Sequence, residues 1–166
     1  MAAGKTTVGK KIAKKLAMPF FDSDKEIEKK LDMDIKNIFE KFGEKEFRKI
    51  EERIILEFVN NKEHFGFIMS LGGGAFINET IRTAIIKNGV SIWLNTAIEI
   101  ISSRIKHSKN IRPLIKKFAT LDKLENLMID RNIYYSEANI KIDTIKTSKE
   151  KMTNLILNKI SNYYSV

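Results

Sequence analysis

Gly4-Lys5-Thr6-Thr7 stands at the head of the run Val8-Gly9-Lys10-Lys11-Ile12-Ala13-Lys14-Lys15-Leu16, which has the spacing of an amphipathic helix. This is the second half of the pattern G-x-x-x-x-G-K-[ST]. In that pattern backbone N–H groups wrap phosphate oxygens, the lysine reaches the β and γ phosphates, and the hydroxyl holds Mg²⁺. The helix that follows adds the partial positive charge of its N-terminus. Such a loop serves phosphoryl transfer, which needs in-line positioning and neutralised phosphate charge more than covalent help. The first glycine of the pattern and the strand that leads into it would lie before Met1.

Four further groups carry chemistry. Asp22 and Asp24 close the apolar pair Phe20-Phe21. At a strand end, two residues apart, their side chains leave on the same side. One could act on a metal through water and the other take a hydroxyl proton; alternatively Asp24 caps the helix that begins at Lys25. Arg48 and Arg131 each read as an ordinary helix charge, Arg48 pairing with Glu44. Beside Gly72-Gly73-Gly74, which lets a ligand approach bare backbone, the two arginines also fit a carboxylate gripped by two guanidinium forks. Arg112, before Pro113 in a loop with Lys106, Lys109, Lys116 and Lys117, is either a basic surface turn or a lid that brings positive charge to a nucleotide.

The elements that must position these groups follow from periodicity. Val8, Ile12 and Leu16 share one face of a first helix, closed by Pro19. A short strand ends at Asp22-Ser23-Asp24, and helices follow over Lys25–Leu31 and Ile35–Phe42, the latter ending at Gly43. A long helix is predicted over Glu44–Asn60, with Phe47, Ile50, Ile54 and Phe58 on one face. Phe67–Leu71 and Val90–Leu94 read as buried strands, each followed by a helix, Asn78–Lys87 and Ala97–Ile105. Leu121–Asn132, a last strand Ile140–Asp143 and a closing helix Lys149–Tyr163 complete the chain. Strands alternating with helices predict an α/β fold, a parallel sheet wrapped on both faces in three αβα layers. In such sheets ligands sit beyond the carboxyl ends of the strands, where the Lys5 loop, Asp22, Asp24 and Gly72–Gly74 all fall.

Bulk properties narrow the classes. A chain of 166 residues is one domain, 1–166, able to bury a core. With 43% hydrophobic and 31% charged residues it reads as globular, and no apolar run approaches the roughly 20 residues of a membrane span. With Cys 0, disulfides and thiolate metal sites are excluded, and a reducing cytoplasm is the expected setting. A net charge of +9 points to an anionic partner. Nucleic acid is not favoured, because the aromatics follow core periodicity rather than alternating with Lys and Arg on one face.

In order and spacing, several stretches together resemble the shikimate kinase family, small P-loop kinases of the nucleoside-monophosphate-kinase type. They are Gly4-Lys5-Thr6-Thr7-Val8-Gly9, Phe21-Asp22-Ser23-Asp24, Ile38-Phe39-Glu40 with Gly43-Glu44, Phe47-Arg48-Lys49-Ile50-Glu51, Leu71-Gly72-Gly73-Gly74-Ala75, Arg112-Pro113-Leu114, and Arg131 with Tyr134-Tyr135 and Glu137-Ala138. The resemblance implies MgATP-dependent phosphorylation of the shikimate 3-hydroxyl, on the way to chorismate and the aromatic amino acids. It implies that ATP sits on the loop Ala2, Ala3, Gly4, Lys5, Thr6 and Thr7, with Arg112 as the lid arginine that meets it. Thr6 would hold Mg²⁺, with Asp22 in its outer shell. Asp24 would grip the substrate hydroxyls and act as base, and Arg48, Gly72, Gly73, Gly74 and Arg131 would hold the substrate, the arginines on its carboxylate. Lys5, Asp24 and Arg112 would be the catalytic set, and Asp143–Thr147 falls where the family contacts adenine. A substrate-binding subdomain at about 24–52, a lid at about 105–120 and a monomeric state complete the expectation.

Two departures are visible. Ala2 stands where the family commonly has a second glycine, and the missing strand would be the central one. Its loss would expose neighbouring strand edges. The expected start therefore lies about ten residues upstream, room for a strand and the first half of the loop. The alternatives are another small-molecule kinase of this fold, gluconate-kinase-like, or a catalytically weakened relative.

Overall fold

The structure is a computed structural model that describes residues 2–61, 66–107, 121–144 and 148–165. Helix α1, Lys5–Leu16, buries Val8, Ile12 and Ala13 and turns Lys10, Lys14 and Lys15 outward. Strand β1, Phe20–Asp22, runs directly into α2, Ser23–Leu31. Asp34 caps α3, Ile35–Asn60, by accepting the Asn37 N–H at 2.8 Å. At Gly43 the backbone leaves helical geometry (φ 76°, ψ 170°), so α3 is two helices joined at a kink, the break predicted there. A left-handed φ of this kind favours a residue without a Cβ.

Strand β2, Ile68–Ser70, leads through the three glycines into a 3₁₀ turn, Ala75–Ile77, and then α4, Glu79–Asn88. Next come β3, Ile92–Thr96, and α5, Ile98–Lys106. Helix α6, Leu121–Tyr135, β4, Ile140–Thr144, and α7, Lys149–Tyr164, end the described chain.

The α/β alternation and the parallel pairing are as predicted, with the strands in two pairs rather than one continuous ladder. Among the described residues β1 pairs in parallel with β2 and β3 in parallel with β4, and no ladder joins the two pairs. No described strand lies between β2 and β3 to carry hydrogen bonds across. Apolar packing spans the interruption instead. Val8 and Ile12 of α1 share one cluster with Ile68 of β2, Ile92 and Leu94 of β3, Ile140 and Ile142 of β4, and Met152 and Ile156 of α7. A second cluster, Ile27, Ile38, Phe47, Ile50 and Ile54, fixes α2 on α3. No helix of the described residues is long and apolar enough to cross a membrane.

Candidate active site

The loop before α1 bends sharply. Gly4 is left-handed (φ 91°) and its carbonyl accepts the Val8 N–H at 3.0 Å, opening the helix with Lys5 as its first residue. Ala2 is also left-handed, at φ 47°. For a residue with a Cβ that conformation costs roughly 1–2 kcal/mol, a cost glycine would not bear. Arg104 of α5 supports the bend by donating from Nη1 to the Ala2 carbonyl at 2.8 Å. Ala3 and Thr7 lie on the same loop and first helical turn.

Thr6 ties the loop to the next strand end. Its Oγ1 donates to Asp22 Oδ2 at 2.8 Å and lies 3.4 Å from Ser70 Oγ. The other oxygen of Asp22, Oδ1, accepts the Asp24 N–H at 3.2 Å. The N-cap of α2 is therefore Asp22, not Asp24. This corrects the expectation that both acids leave a strand end on one side. Capping by Asp22 draws Ser23 and Asp24 into the first helical turn, and the two carboxylates serve different neighbours: Asp22 faces Thr6, whereas Asp24 faces the glycine turn.

That turn is packed to contact. A Cβ at Gly72 would stand 2.7 Å from Glu51 Oε1 and 2.8 Å from Asp24 Oδ1. The Gly72 N–H donates to the buried Ser23 Oγ at 2.8 Å. A Cβ at Gly74 would stand 2.7–2.8 Å from the guanidinium atoms of Arg48. Gly72→Ala is therefore expected to displace both carboxylates and destabilise the fold by about 1–3 kcal/mol. In urea melts the loss should appear together with weaker binding of any ligand held by Asp24.

Arg48 is held in place by Glu51 at 2.7 Å and Glu44 at 3.2 Å, and it lies over the Phe47 ring. The ion pair with Glu44 is thus real, but it is the weaker half of a brace. Glu51 is only 1% exposed. Burial, and to a smaller degree the charge of Asp24, pushes its carboxyl above the usual range against the opposing pull of Arg48 and Arg131. Arg131, on α6, faces the same acid, and its buried Nε has no hydrogen-bond partner among the described residues. A buried cationic donor left unsatisfied is costly, so the position suits an incoming anion. Tyr135, one turn further along α6, donates from its hydroxyl to the Gly73 carbonyl. A cavity of about 40 Å³ lined in part by Ala3, Asn95, Thr96, Arg131 and Tyr135 connects this cluster with the loop.

The structure thus brings Asp24, Arg48, Gly72, Gly73, Gly74 and Arg131 together, and links them through Asp22 to Thr6, Lys5 and Gly4. Arg112 and most of the expected lid lie outside the described residues, as do 145–147 of the expected adenine segment. Asp143 and Thr144 lie in β4, joined to Asn95 and Thr96 of β3 at 2.6 and 2.8 Å. Sequence reasoning assigned no role to Glu51, Arg104, Ser70 or Tyr135. Glu51 was findable: with Phe47, Ile54 and Phe58 it falls on the apolar stripe of α3, where a charge must be buried and paired.

Comparison with known proteins places this geometry in context. The family model described as shikimate kinase matches residues 1–161. The chain is 37% identical over 163 residues to the shikimate kinase of Bartonella henselae, covering 98% of this chain and 76% of that protein. It is 37% identical over 166 residues to that of Mesorhizobium japonicum, covering all of this chain and 80% of that protein. Among solved structures, the shikimate kinase of Acinetobacter baumannii in complex with shikimate superposes with a TM-score of 0.89 at 34% identity, covering 98% of this chain and 89% of the other. The shikimate kinase of Aquifex aeolicus gives 0.82 at 33% identity, covering 97% and 92%.

Proposed function

The chain belongs to the shikimate kinase family, and from that premise we propose that it transfers the γ-phosphoryl group of ATP to the 3-hydroxyl of shikimate. The product is shikimate 3-phosphate, which places the enzyme on the route to chorismate and the aromatic amino acids. The observation that carries this reading is the convergence of Asp24, Arg48 and Arg131 on the glycine turn, with Arg131 Nε buried and unsatisfied. An acidic ring bearing hydroxyls satisfies both halves: its carboxylate takes the guanidinium donors, and a ring hydroxyl meets a carboxylate able to accept its proton.

Each residue then has a task. The N–H groups of Ala2, Ala3, Gly4, Lys5, Thr6 and Thr7, with the Lys5 ammonium, neutralise the phosphates at the N-terminus of α1. Asp24 accepts the proton as the hydroxyl oxygen attacks phosphorus. Arg48, braced by Glu51, and Arg131 orient the ring, with the backbone of Gly72, Gly73 and Gly74 beneath it. We assign Arg112, in a lid at about 105–120, to the nucleotide, and the residues at about 24–52 to a substrate-binding subdomain. Thr6 and Asp22 offer hard oxygen donors that fit Mg²⁺, and Ser70 Oγ stands beside them. Held there with ATP, Mg²⁺ would supply positive charge to offset that of the phosphates. A cytoplasmic setting agrees with the cysteine-free composition, and the enzyme is proposed to act as a monomer.

The reading is tested by coupled ADP release with shikimate, gluconate and nucleoside monophosphates as acceptors. Turnover with shikimate supports it; turnover with either of the others alone overturns it. Arg131→Lys should raise KM for shikimate about 10- to 100-fold, the loss of one charge-assisted hydrogen-bond set. KM for ATP should stay unchanged.

A further inference from the structure

We propose that Tyr135 is a positioning residue that locks the peptide between Gly73 and Gly74 in one of its two orientations. The turn is closed by the Ala75 N–H, which donates to the Gly72 carbonyl at 3.2 Å, so Gly73 and Gly74 are its two central residues. Gly74, at φ −106° and ψ −12°, has the geometry of the third residue of a type I turn. Rotating the central peptide by half a turn converts it to type II, which requires a positive φ at Gly74. Glycine adopts that conformation freely.

Nearly any other residue at position 74 would resist the flip. Arg48 forbids one, because its guanidinium atoms lie 2.7–2.8 Å from where a Cβ would stand. The glycine that makes room for Arg48 therefore leaves the turn unlocked from within, and the lock has to come from outside it.

Tyr135 supplies the lock. Its hydroxyl donates to the Gly73 carbonyl at 2.5 Å. That carbonyl and the Gly74 N–H point in opposite directions in one rigid plane, so holding one aims the other at the face away from Tyr135. A flip would exchange the N–H for carbonyl lone pairs on that face. The phenol ring is seated against Phe76 and Trp93. Burial, only partly opposed by Arg131, pushes the Tyr135 hydroxyl above its ordinary value, so it stays a donor through neutral and mildly alkaline pH. Arg131 lies one turn earlier on the same helix, so α6 sets both a ligand-facing guanidinium and the orientation of the turn.

The effect on turnover rests on the shikimate reading; the lock itself does not. Tyr135→Phe keeps the ring and removes the bond to the Gly73 carbonyl together with the hydroxyl's contact with Arg131, so the amide exchange decides the lock. KM for shikimate should rise about 5- to 10-fold, while kcat and KM for ATP change by less than about twofold. Relaxation dispersion at the Gly73 and Gly74 amides, flat in the native protein, should show exchange in the variant. Flat dispersion in the variant overturns the proposal whether or not KM for shikimate rises, since a rise alone follows from the lost contact with Arg131. So does a rise in both KM values with exchange spread over the whole domain, which would mark a packing role. If the native protein gives no shikimate-dependent ADP release, the functional reading fails while the amide exchange still decides the lock. Should the Phe variant not fold, a ring-fluorinated tyrosine at 135, which sheds its proton near neutral pH, replaces it. Exchange at Gly74 must then appear as pH rises through that titration and not in the native protein; its absence overturns the lock.

Discussion

Asp24→Asn is expected to lower kcat by about 10²–10⁴-fold, the range for loss of a positioned general base. Two carboxylates touch the glycine turn, and only one suits the task. Glu51 is 1% exposed and committed to Arg48 at 2.7 Å, so a proton taken there would leave the guanidinium without its brace. Asp24 is half-buried, and its backbone is fixed by the Asp22 cap at 3.2 Å. Asparagine keeps the volume and the ability to accept a hydrogen bond, so the ring should still bind. What disappears is the site for the hydroxyl proton. Steady-state kinetics should therefore show the loss in kcat with KM for ATP unmoved. A loss under tenfold accompanied by a raised KM for shikimate would reduce Asp24 to a binding residue.

Much of the frame was legible because it is local. Apolar spacing gave α1, both halves of α3 and the helix at Leu121, and Gly43 marked its kink because glycine alone takes φ 76° without strain. Local competition also explains the misplacement of Asp24. A capping aspartate outbids continuation of a three-residue strand, and nothing in strand periodicity shows that. The sheet was less legible, because pairing is a long-range property that depends on which strands are present to bridge their neighbours.

The site divides in the same way. Residue types and spacing singled out Asp24, Arg48, Arg131 and the three glycines, but not why each glycine is required. Gly72 yields to two carboxylates and Gly74 to a guanidinium, contacts visible only once α3 is folded against the turn. Arg104 on the Ala2 carbonyl and Tyr135 on the Gly73 carbonyl join residues far apart in sequence through backbone oxygens. No motif announces a partner of that kind.

Lys5→Ala should cost about 10²–10³-fold in kcat, the scale for removing one preorganised group from a site of developing charge, and should leave shikimate binding intact. Lys5 opens α1 directly after the left-handed Gly4, so under the proposed reading its ammonium and the helix N-terminus would act on the same phosphates. Arg104, a cation close to the loop, does not substitute for it, because its Nη1 is already held by the Ala2 carbonyl at 2.8 Å. Lys5→Arg is not expected to rescue activity, because a broad planar fork does not replace a compact ammonium inside a tight loop. Substrate binding can be read separately. Trp93 is the one tryptophan of the chain and lies 6.1 Å from the Tyr135 ring, lining the cavity shared with Arg131. Its fluorescence should therefore report shikimate in Lys5→Ala with the native affinity. If that titration weakens in step with kcat, the loop and the acid site are not separable, and Lys5 shapes the pocket rather than the phosphate.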